Sequence, residues 1–119
     1  MLFLNDSHMS NFYTLASLTN LNTCNTELKS LLYLISGNND LFAKKDYIYN
    51  FSDNHLSFKG FNYINTDFCY SSKALIRLAI NLFNGFSDKY TDPFNLLAYL
   101  DTNNYMLAIN SINIRFNYF

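Results

Sequence analysis

The sequence predicts an α+β fold, in which a small antiparallel sheet packs with one N-terminal helix and three C-terminal helices. Apolar residues recur at helical spacing over residues 25–36 and again in the last third of the chain, whereas the period changes to two between about residues 45 and 64. The chain has 119 residues and no repeat or linker divides it. We therefore expect a single domain spanning residues 1–119.

The N-terminal helix is predicted over residues 25–36. Leu28, Leu31, Leu32 and Ile35 share one helix face at i, i+3, i+4 and i+7 spacing. Gly37 follows at the position where a glycine often ends a helix. Residues 10–19 are compatible with a short preceding helix, although their Asn and β-branched Thr content lowers helix propensity.

A β-hairpin is predicted at about residues 45–64. Tyr47, Tyr49 and Phe51 alternate with their neighbours at the period of a strand, and the alternation resumes after a polar turn at residues 52–54. A twisted sheet of two or three strands is expected from this segment.

The C-terminal third predicts three helices. Ser71 or Ser72 is the expected N-cap of the first, and Gly85 stands just past its end. Its apolar stripe is wide, so we expect this helix to be central to the core. Asp92 followed by Pro93 marks the start of a short second helix.

The final helix is predicted to begin at Thr102 as its N-cap. Apolar residues recur along it at helical spacing, and these are expected to face the core: Tyr105, Ala108, Ile109, Ile112 and Phe116.

Asparagine fills 19 positions, whereas charged residues make up only 14% of the chain. Amides rather than ions are therefore expected to keep the surface hydrated. The net charge of −1 provides no basic field for duplex DNA. Because few charges cover a small domain with ten Tyr and twelve Phe, we expect some aromatic surface to remain exposed and to support a homodimer or a partner complex.

No targeting or membrane segment is predicted. The apolar opening 1–4 is too short for a signal peptide, and no stretch reaches 18 uninterrupted apolar residues. A cytoplasmic protein is the expectation. Cys24 and Cys69 are interpreted as free buried thiols, while a disulfide between them stays open.

The sequence contains no recognisable catalytic constellation. His8 and His55 lack neighbouring ligands, so no metal or other cofactor is expected. The Ser71-Ser72 pair precedes a helix as a nucleophile could, but no nucleophile-elbow motif surrounds it, and a capping role is the simpler interpretation. Glu27 is the only glutamate. We therefore expect a protein that is not an enzyme.

About the last 50 residues resemble small orphan accessory proteins of phages and mobile elements of A/T-rich Gram-positive bacteria. The resemblance is carried by residues 71–85 (SSKALIRLAINLFNG), the pair Leu100-Asp101 and residues 108–116 (AINSINIRF). It implies a counter-defence role of the anti-CRISPR kind in the cytoplasm of a bacterial host. Many such inhibitors are strongly acidic mimics of nucleic acid, whereas this chain carries only −1.

The resulting hypothesis is a non-enzymatic, phage-encoded inhibitor that binds a surface of a host protein or ribonucleoprotein defence complex. The alternative is a small nucleic-acid-binding regulator that uses the C-terminal helices, where Asn110, Asn113 and Arg115 could contact bases and backbone. Too few cations accompany them to make direct nucleic-acid binding the first choice.

The partner is predicted to bind at the hairpin and its tip. A hairpin that carries tyrosines offers a large contact area at low entropic cost. The residues assigned to this surface are Tyr49, Asp53, Asn54, His55 and Tyr63. The alternative for Tyr47 and Tyr49 is packing against the C-terminal helices.

Overall fold

Helices dominate the part of the chain described by the computed structural model, which comprises residues 1–22, 24–57 and 68–117. Seven helices and one hairpin lie in these ranges. In chain order they are α1 (Asp6–Thr19), α2 (Thr26–Gly37), α3 (Asn39–Ala43), α4 (Lys45–Ile48), β1 (Tyr49–Asn50), β2 (His55–Leu56), α5 (Tyr70–Asn84), α6 (Pro93–Leu97) and α7 (Thr102–Phe116).

Helix α2 occupies the centre of the fold. Residues 31–36 are all buried, so nearly two full turns are covered on every side by α1, α3, α5 and α7. Its buried hydroxyls are satisfied within the helix, since Ser30 donates to the Glu27 carbonyl and Ser36 to the Tyr33 carbonyl, both at 3.0 Å. Helix α5 is central to the same core, as predicted, because its apolar stripe is buried: Leu75, Ile76, Leu78, Ala79, Ile80 and Leu82.

Helix α1 is longer than predicted because Asn5 caps its N-terminal end, so the helix begins at Asp6. The side chain of Asn5 accepts a hydrogen bond from the His8 amide at 2.8 Å, and Asp6 lies in the first turn where the helix dipole favours a carboxylate. Asn20 ends the helix in the left-handed conformation, with φ of 51°. The N-terminal region therefore contains two long helices rather than one.

A buried histidine joins α1 to α2. His8 Nδ1 accepts from the Leu4 amide at 3.1 Å, so its other ring nitrogen, Nε2, is the one that carries a proton and donates to the Tyr33 carbonyl at 3.0 Å. The Tyr33 hydroxyl donates to the Leu2 carbonyl and accepts from Asn110 on α7 at 3.0 Å. The N-terminal residues are thereby held against α1, α2 and α7.

Gly37 has a different role from the one predicted. It is the last residue of α2, and the positive φ expected of a glycine after a helix is found at Gly85 instead. A Cβ atom at Gly37 would collide with a methyl group of Leu107 on α7 and lie 3.0 Å from His8 Nε2. The glycine is needed because α1 and α7 both approach the end of α2 closely.

The predicted hairpin over 45–64 is confirmed only as a short antiparallel pairing, in which Tyr49 faces Leu56 and Asn50 faces His55. The first part of that segment forms α4. Ile48 and Tyr49 are adjacent in sequence and both buried, a placement that strict strand alternation does not allow. The rest of the predicted strand, including Tyr63, lies outside the described residues. The fold is mostly helical with a small hairpin, and the predicted α+β class is corrected accordingly.

The three predicted C-terminal helices are all present. Gly85 ends α5 with φ of 81°, and Asp92 caps α6 with Pro93 in its first turn, as predicted. The N-cap of α5 is Cys69, so neither Ser71 nor Ser72 caps it.

The cap and the buried face of α7 differ from the prediction. Asp101 rather than Thr102 is the N-cap and accepts from the Asn104 amide at 2.8 Å. The residues buried on α7 are Leu107, Ala108 and Ser111. Of the residues predicted to face the core, Ala108 is buried, Ile109 and Ile112 are half-buried, and Tyr105 and Phe116 are exposed.

Arg115 anchors the end of α7 to two other helices. Its Nε donates to the Leu82 carbonyl at 2.6 Å, close to the C-terminal end of α5 where the helix dipole favours a cation. Its guanidinium also contacts Thr26 at 3.4 Å and the Glu27 carboxylate at 3.5 Å.

None of the helices in the described ranges is long and apolar enough to span a membrane.

The His8 site predicts a pH dependence of stability. Burial lowers the pKa of His8 in the folded protein below its ordinary value of 6.5, against the opposing effect of the hydrogen bond to Tyr33. As pH falls below about 6.5 the unfolded chain therefore binds more protons than the folded one, so the free energy of unfolding decreases until pH reaches the folded pKa.

Urea unfolding of wild type and His8→Gln at pH 7.5 and 5.5 checks this expectation. The carboxylates titrate in both proteins. The difference between the two proteins in how much unfolding free energy is lost from pH 7.5 to 5.5 therefore isolates the contribution of His8. We expect a smaller loss of stability on acidification in the variant. Equal losses would contradict a neutral, buried His8.

Candidate functional site

Three aromatic side chains form an exposed cluster where α5 meets α6, and we call it the aromatic patch: Tyr70, Phe94 and Tyr99. Each is at least 60% exposed. Tyr99 stands in the middle, with its ring centroid 5.7 Å from that of Tyr70 and 6.1 Å from that of Phe94, and both contacts are edge-to-face. This geometry is favourable between aromatic rings, so the patch is a defined surface rather than scattered exposed side chains.

Two concave surfaces meet at Tyr70. One is an open depression of about 670 Å³ lined by Cys69, Tyr70, Ser71 and Tyr99. The other is a groove of about 260 Å³ between α5 and the start of α6, to which Lys73 and Arg77 contribute cationic groups. The patch therefore combines exposed rings with concave edges that a partner's side chains can enter.

The loop beside the groove is held by Asp88. Its carboxylate accepts from the Tyr90 amide and the Thr91 hydroxyl at 2.9 Å, and from Arg77 Nε at 3.1 Å. Burial alone would raise the pKa of the Asp88 carboxyl, but these hydrogen bonds outweigh it and hold the pKa below its usual value. The guanidinium of Arg77 also lies 5.1 Å from the ring centroid of Tyr90. The groove therefore has a well-anchored wall.

Sequence reasoning missed the patch, although one signal could have shown it. Tyr70 shares a helical face with Lys73, Arg77 and Asn81, at i, i+3, i+7 and i+11, which is the more polar side of α5. A large aromatic residue on this side remains mostly exposed in its own domain. Such a position is a candidate contact residue.

The hairpin-tip residues assigned from the sequence are only partly available for contact. Tyr49 is 2% exposed and packs edge-to-face against Phe51 and Phe83, which corrects its assignment as a contact residue and agrees with the alternative of core packing. Asp53, Asn54 and His55 are exposed.

The tip itself is a small polar turn. The side chain of Asn50 accepts from the Ser52 and Asp53 amides at 3.0 Å, and His55 Nε2 lies 3.7 Å from an Asp53 oxygen. Tyr63, the remaining assigned residue, lies outside the described ranges. The structure thus brings Asp53 and His55 together at the exposed tip.

Both cysteines are free and exposed, so their predicted burial is wrong. Cys69 stands at the N-terminal end of α5 and at the edge of the aromatic patch. Its sulfur lies 3.5 Å from the Ser71 hydroxyl and 3.2 Å from that of Ser72. These hydrogen bonds lower the pKa of the Cys69 thiol from its ordinary value of 9.0. The hydrogen bond with Ser71 has the largest effect, and the one with Ser72 adds to it.

Within the described ranges, no three His, Cys, Asp or Glu side chains lie close enough together to hold a metal ion. What the arrangement around α5 and α6 offers chemically is contact: exposed rings, a cationic groove and one accessible thiol.

The Cys69 environment predicts that this thiol reacts as a thiolate at lower pH than an unperturbed cysteine. In a Cys24→Ser background, the rate of alkylation by iodoacetamide should rise with a midpoint below that of a simple thiol, because the hydroxyls stabilise the thiolate. Ser71→Ala removes one hydroxyl and should move the midpoint upward. A midpoint in the Cys24→Ser protein equal to that of N-acetylcysteine amide, whose ends carry no charge, would contradict the assigned hydrogen bonds.

Comparison with known proteins gives one match. No curated protein and no solved structure is significantly similar to the chain. The model of one protein family matches residues 1–118. The chain therefore belongs to DUF6075, a family of unknown function.

Proposed function

We propose that the protein is a non-enzymatic interaction protein that inhibits a host defence complex by occupying a protein surface through its aromatic patch. The observation that carries this proposal is the edge-to-face cluster of Tyr70, Phe94 and Tyr99 on the outside of the domain. Apolar surface of this kind is unfavourable in water unless a partner covers it. The resemblance to phage accessory proteins supports the class of partner.

The patch has the composition expected of a binding hot spot. Tyrosine and other aromatic residues are enriched at the centre of protein interfaces, while polar residues form the rim. Here Tyr99 is central, and Ser71 and Asn95 line the adjoining concave surfaces. A Tyr side chain has few rotatable bonds, so little entropy is lost when it becomes buried by a partner.

The weak overall charge supports contact by shape. With a net charge of −1 the protein cannot imitate the phosphate backbone of a nucleic acid as strongly acidic inhibitors do. Blocking by apolar and amide contacts is the mechanism this surface favours.

A nucleic-acid-binding regulator is the alternative, and one observation favours it. Lys73 lines the groove beside Tyr70, together with Arg77, whose charge is paired with Asp88, and Lys89 Nζ lies 5.0 Å from the ring centroid of Tyr90. Rings flanked by cations can stack bases of a single strand. Against it, Arg115 and Asn110 on the final helix are engaged with Leu82 and Tyr33 respectively, so they are held inside the domain.

Site-specific photo-crosslinking in the bacterial host tests the proposal. A photoreactive amino acid in place of Tyr99 should give a covalent adduct with a subunit of a defence complex. The matched control carries the photoreactive amino acid in place of Tyr105, which is 45% exposed on α7 and lies outside the patch. Adducts with a second copy of the chain alone would assign the patch to dimerisation and overturn the proposal.

Affinity for the captured partner gives the quantitative prediction. The double variant Phe94→Ser/Tyr99→Ser should weaken Kd about thirtyfold or more, since a hot spot contributes about 2 kcal/mol or more. Tyr105→Ser should leave Kd nearly unchanged. Affinity that is insensitive to salt favours the protein interface, whereas a steep fall between 50 and 200 mM salt, on the scale typical of phosphate contacts, would favour the nucleic-acid alternative.

A further inference from the structure

Six of the 19 asparagines line one polar cleft of about 330 Å³, which we call the asparagine cleft. It is formed where the first turns of α1 and α7 meet the junction of α2 and α3. Its amides come from Asn5, Asn11, Asn38, Asn39, Asn103 and Asn104. The cleft lies on elements other than those of the aromatic patch, so its function is independent of the one proposed above.

Several of these side chains are held in place by helix capping. Asn5 accepts from the His8 amide at 2.8 Å, and Asn38 accepts from the Leu41 amide at 3.0 Å. Asn38 also donates to the side-chain oxygen of Asn104 at 3.1 Å. The amides of Asn5, Asn38 and Asn104 are fixed in this way and lose little conformational freedom when a ligand binds.

The floor of the cleft is rigid and neutral. Gly37 is packed so closely against Leu107 and His8 that a Cβ atom has no room. His8 is buried, and both of its ring nitrogens already make hydrogen bonds within the protein. The floor therefore contributes shape rather than charge.

Hydrogen-bonding capacity remains after these contacts are counted. Within the described part of the chain, the side-chain amides of Asn11, Asn39 and Asn103 make no hydrogen bond, and the NH₂ groups of Asn5 and Asn104 donate none. Each free amide offers two donor hydrogens beside an acceptor oxygen. A complementary ligand must present donors and acceptors side by side.

The lining restricts the ligand class further. Asp101 is its one carboxylate, and no Lys or Arg lines it among the described residues, which disfavours a phosphate or carboxylate ligand. No Phe, Tyr or Trp ring of the described ranges lines it either, so a ligand would be held by hydrogen bonds rather than by stacking.

We propose that the asparagine cleft binds a neutral carbohydrate of one or two rings. Sugar hydroxyls both donate and accept, as the free amides do, and they carry no charge. The cleft volume is at the lower end of the range for small-molecule sites, which suits a ligand of this size.

NMR titration of the ¹⁵N-labelled protein tests the proposal with three probes: glucose, ribose and N-acetylglucosamine. Saturable shifts of the Asn11 and Asn103 side-chain amide signals are expected with at least one sugar. Sodium phosphate at the same ionic strength as sodium chloride should not produce them. Shifts with phosphate alone would indicate an anion at the helix N-termini and overturn the proposal, as would no saturable shift with any sugar.

Matched variants show whether the amides themselves bind. Asn11→Ala and Asn103→Ala were chosen because neither residue caps a helix, so the fold should be retained. Each should weaken sugar binding about fivefold, the loss expected for one hydrogen bond. Asn113→Ala, on α7 but outside the cleft, is the control and should bind like wild type. Wild-type affinity in both cleft variants, with folded spectra, would overturn the proposal.

Discussion

The fold depends on the requirement that α2 be covered on every side. Residues 31–36 are buried without interruption, so the helix cannot lie at a surface as an amphipathic helix does. Covering it occupies α1, α5 and α7, the other three long helices of the described chain. Helix α6 buries only Leu96, and Phe94 and Tyr99 are left outside. The exposed aromatic patch is thus a consequence of how a small core is filled.

Asparagine forms many of the turns and helix caps of this chain. With only three glycines and one proline available, the residues outside glycine that adopt positive φ in the described part are Asn20, Asn54 and Asn117. Asparagine tolerates this conformation better than other non-glycine residues. Three further asparagines cap helix N-termini: Asn5, Asn25 and Asn38. The asparagine cleft lies where two of these caps converge, so a structural use of amides also concentrates them at one surface.

The sequence predicted local features well and their spatial arrangement poorly. The helices over 25–36 and the C-terminal third were predicted because apolar spacing and caps such as Asp92 act over a few residues. The central position of α2 was not predicted, because Ser30 and Ser36 are polar in sequence and become buried only when other helices pack around α2. The face of α7 was misjudged because Tyr105 and Leu107 both continue an apolar pattern at helical spacing, and the burial of Leu107 beside Gly37 depends on packing between helices.

The candidate surfaces could not be predicted from the sequence because they too depend on how the helices pack in space. The tyrosines of the hairpin were predicted to be contact residues, yet Tyr49 is buried and packs against Phe51 and Phe83. Phe94 and Tyr99 belong to one short segment, whereas Tyr70 lies on α5 and meets Tyr99 only because α6 packs against α5. The six cleft asparagines likewise come from separate elements.

Native-state hydrogen exchange tests most directly whether α2 is the rigid centre on which both surfaces are built. The account predicts that amides of residues 31–36 exchange slowest in the protein, with an opening free energy equal to that of global unfolding measured by urea. Exchange of these amides through a lower-energy local opening, with slower exchange in α5, would place the centre of the fold in α5 and contradict it.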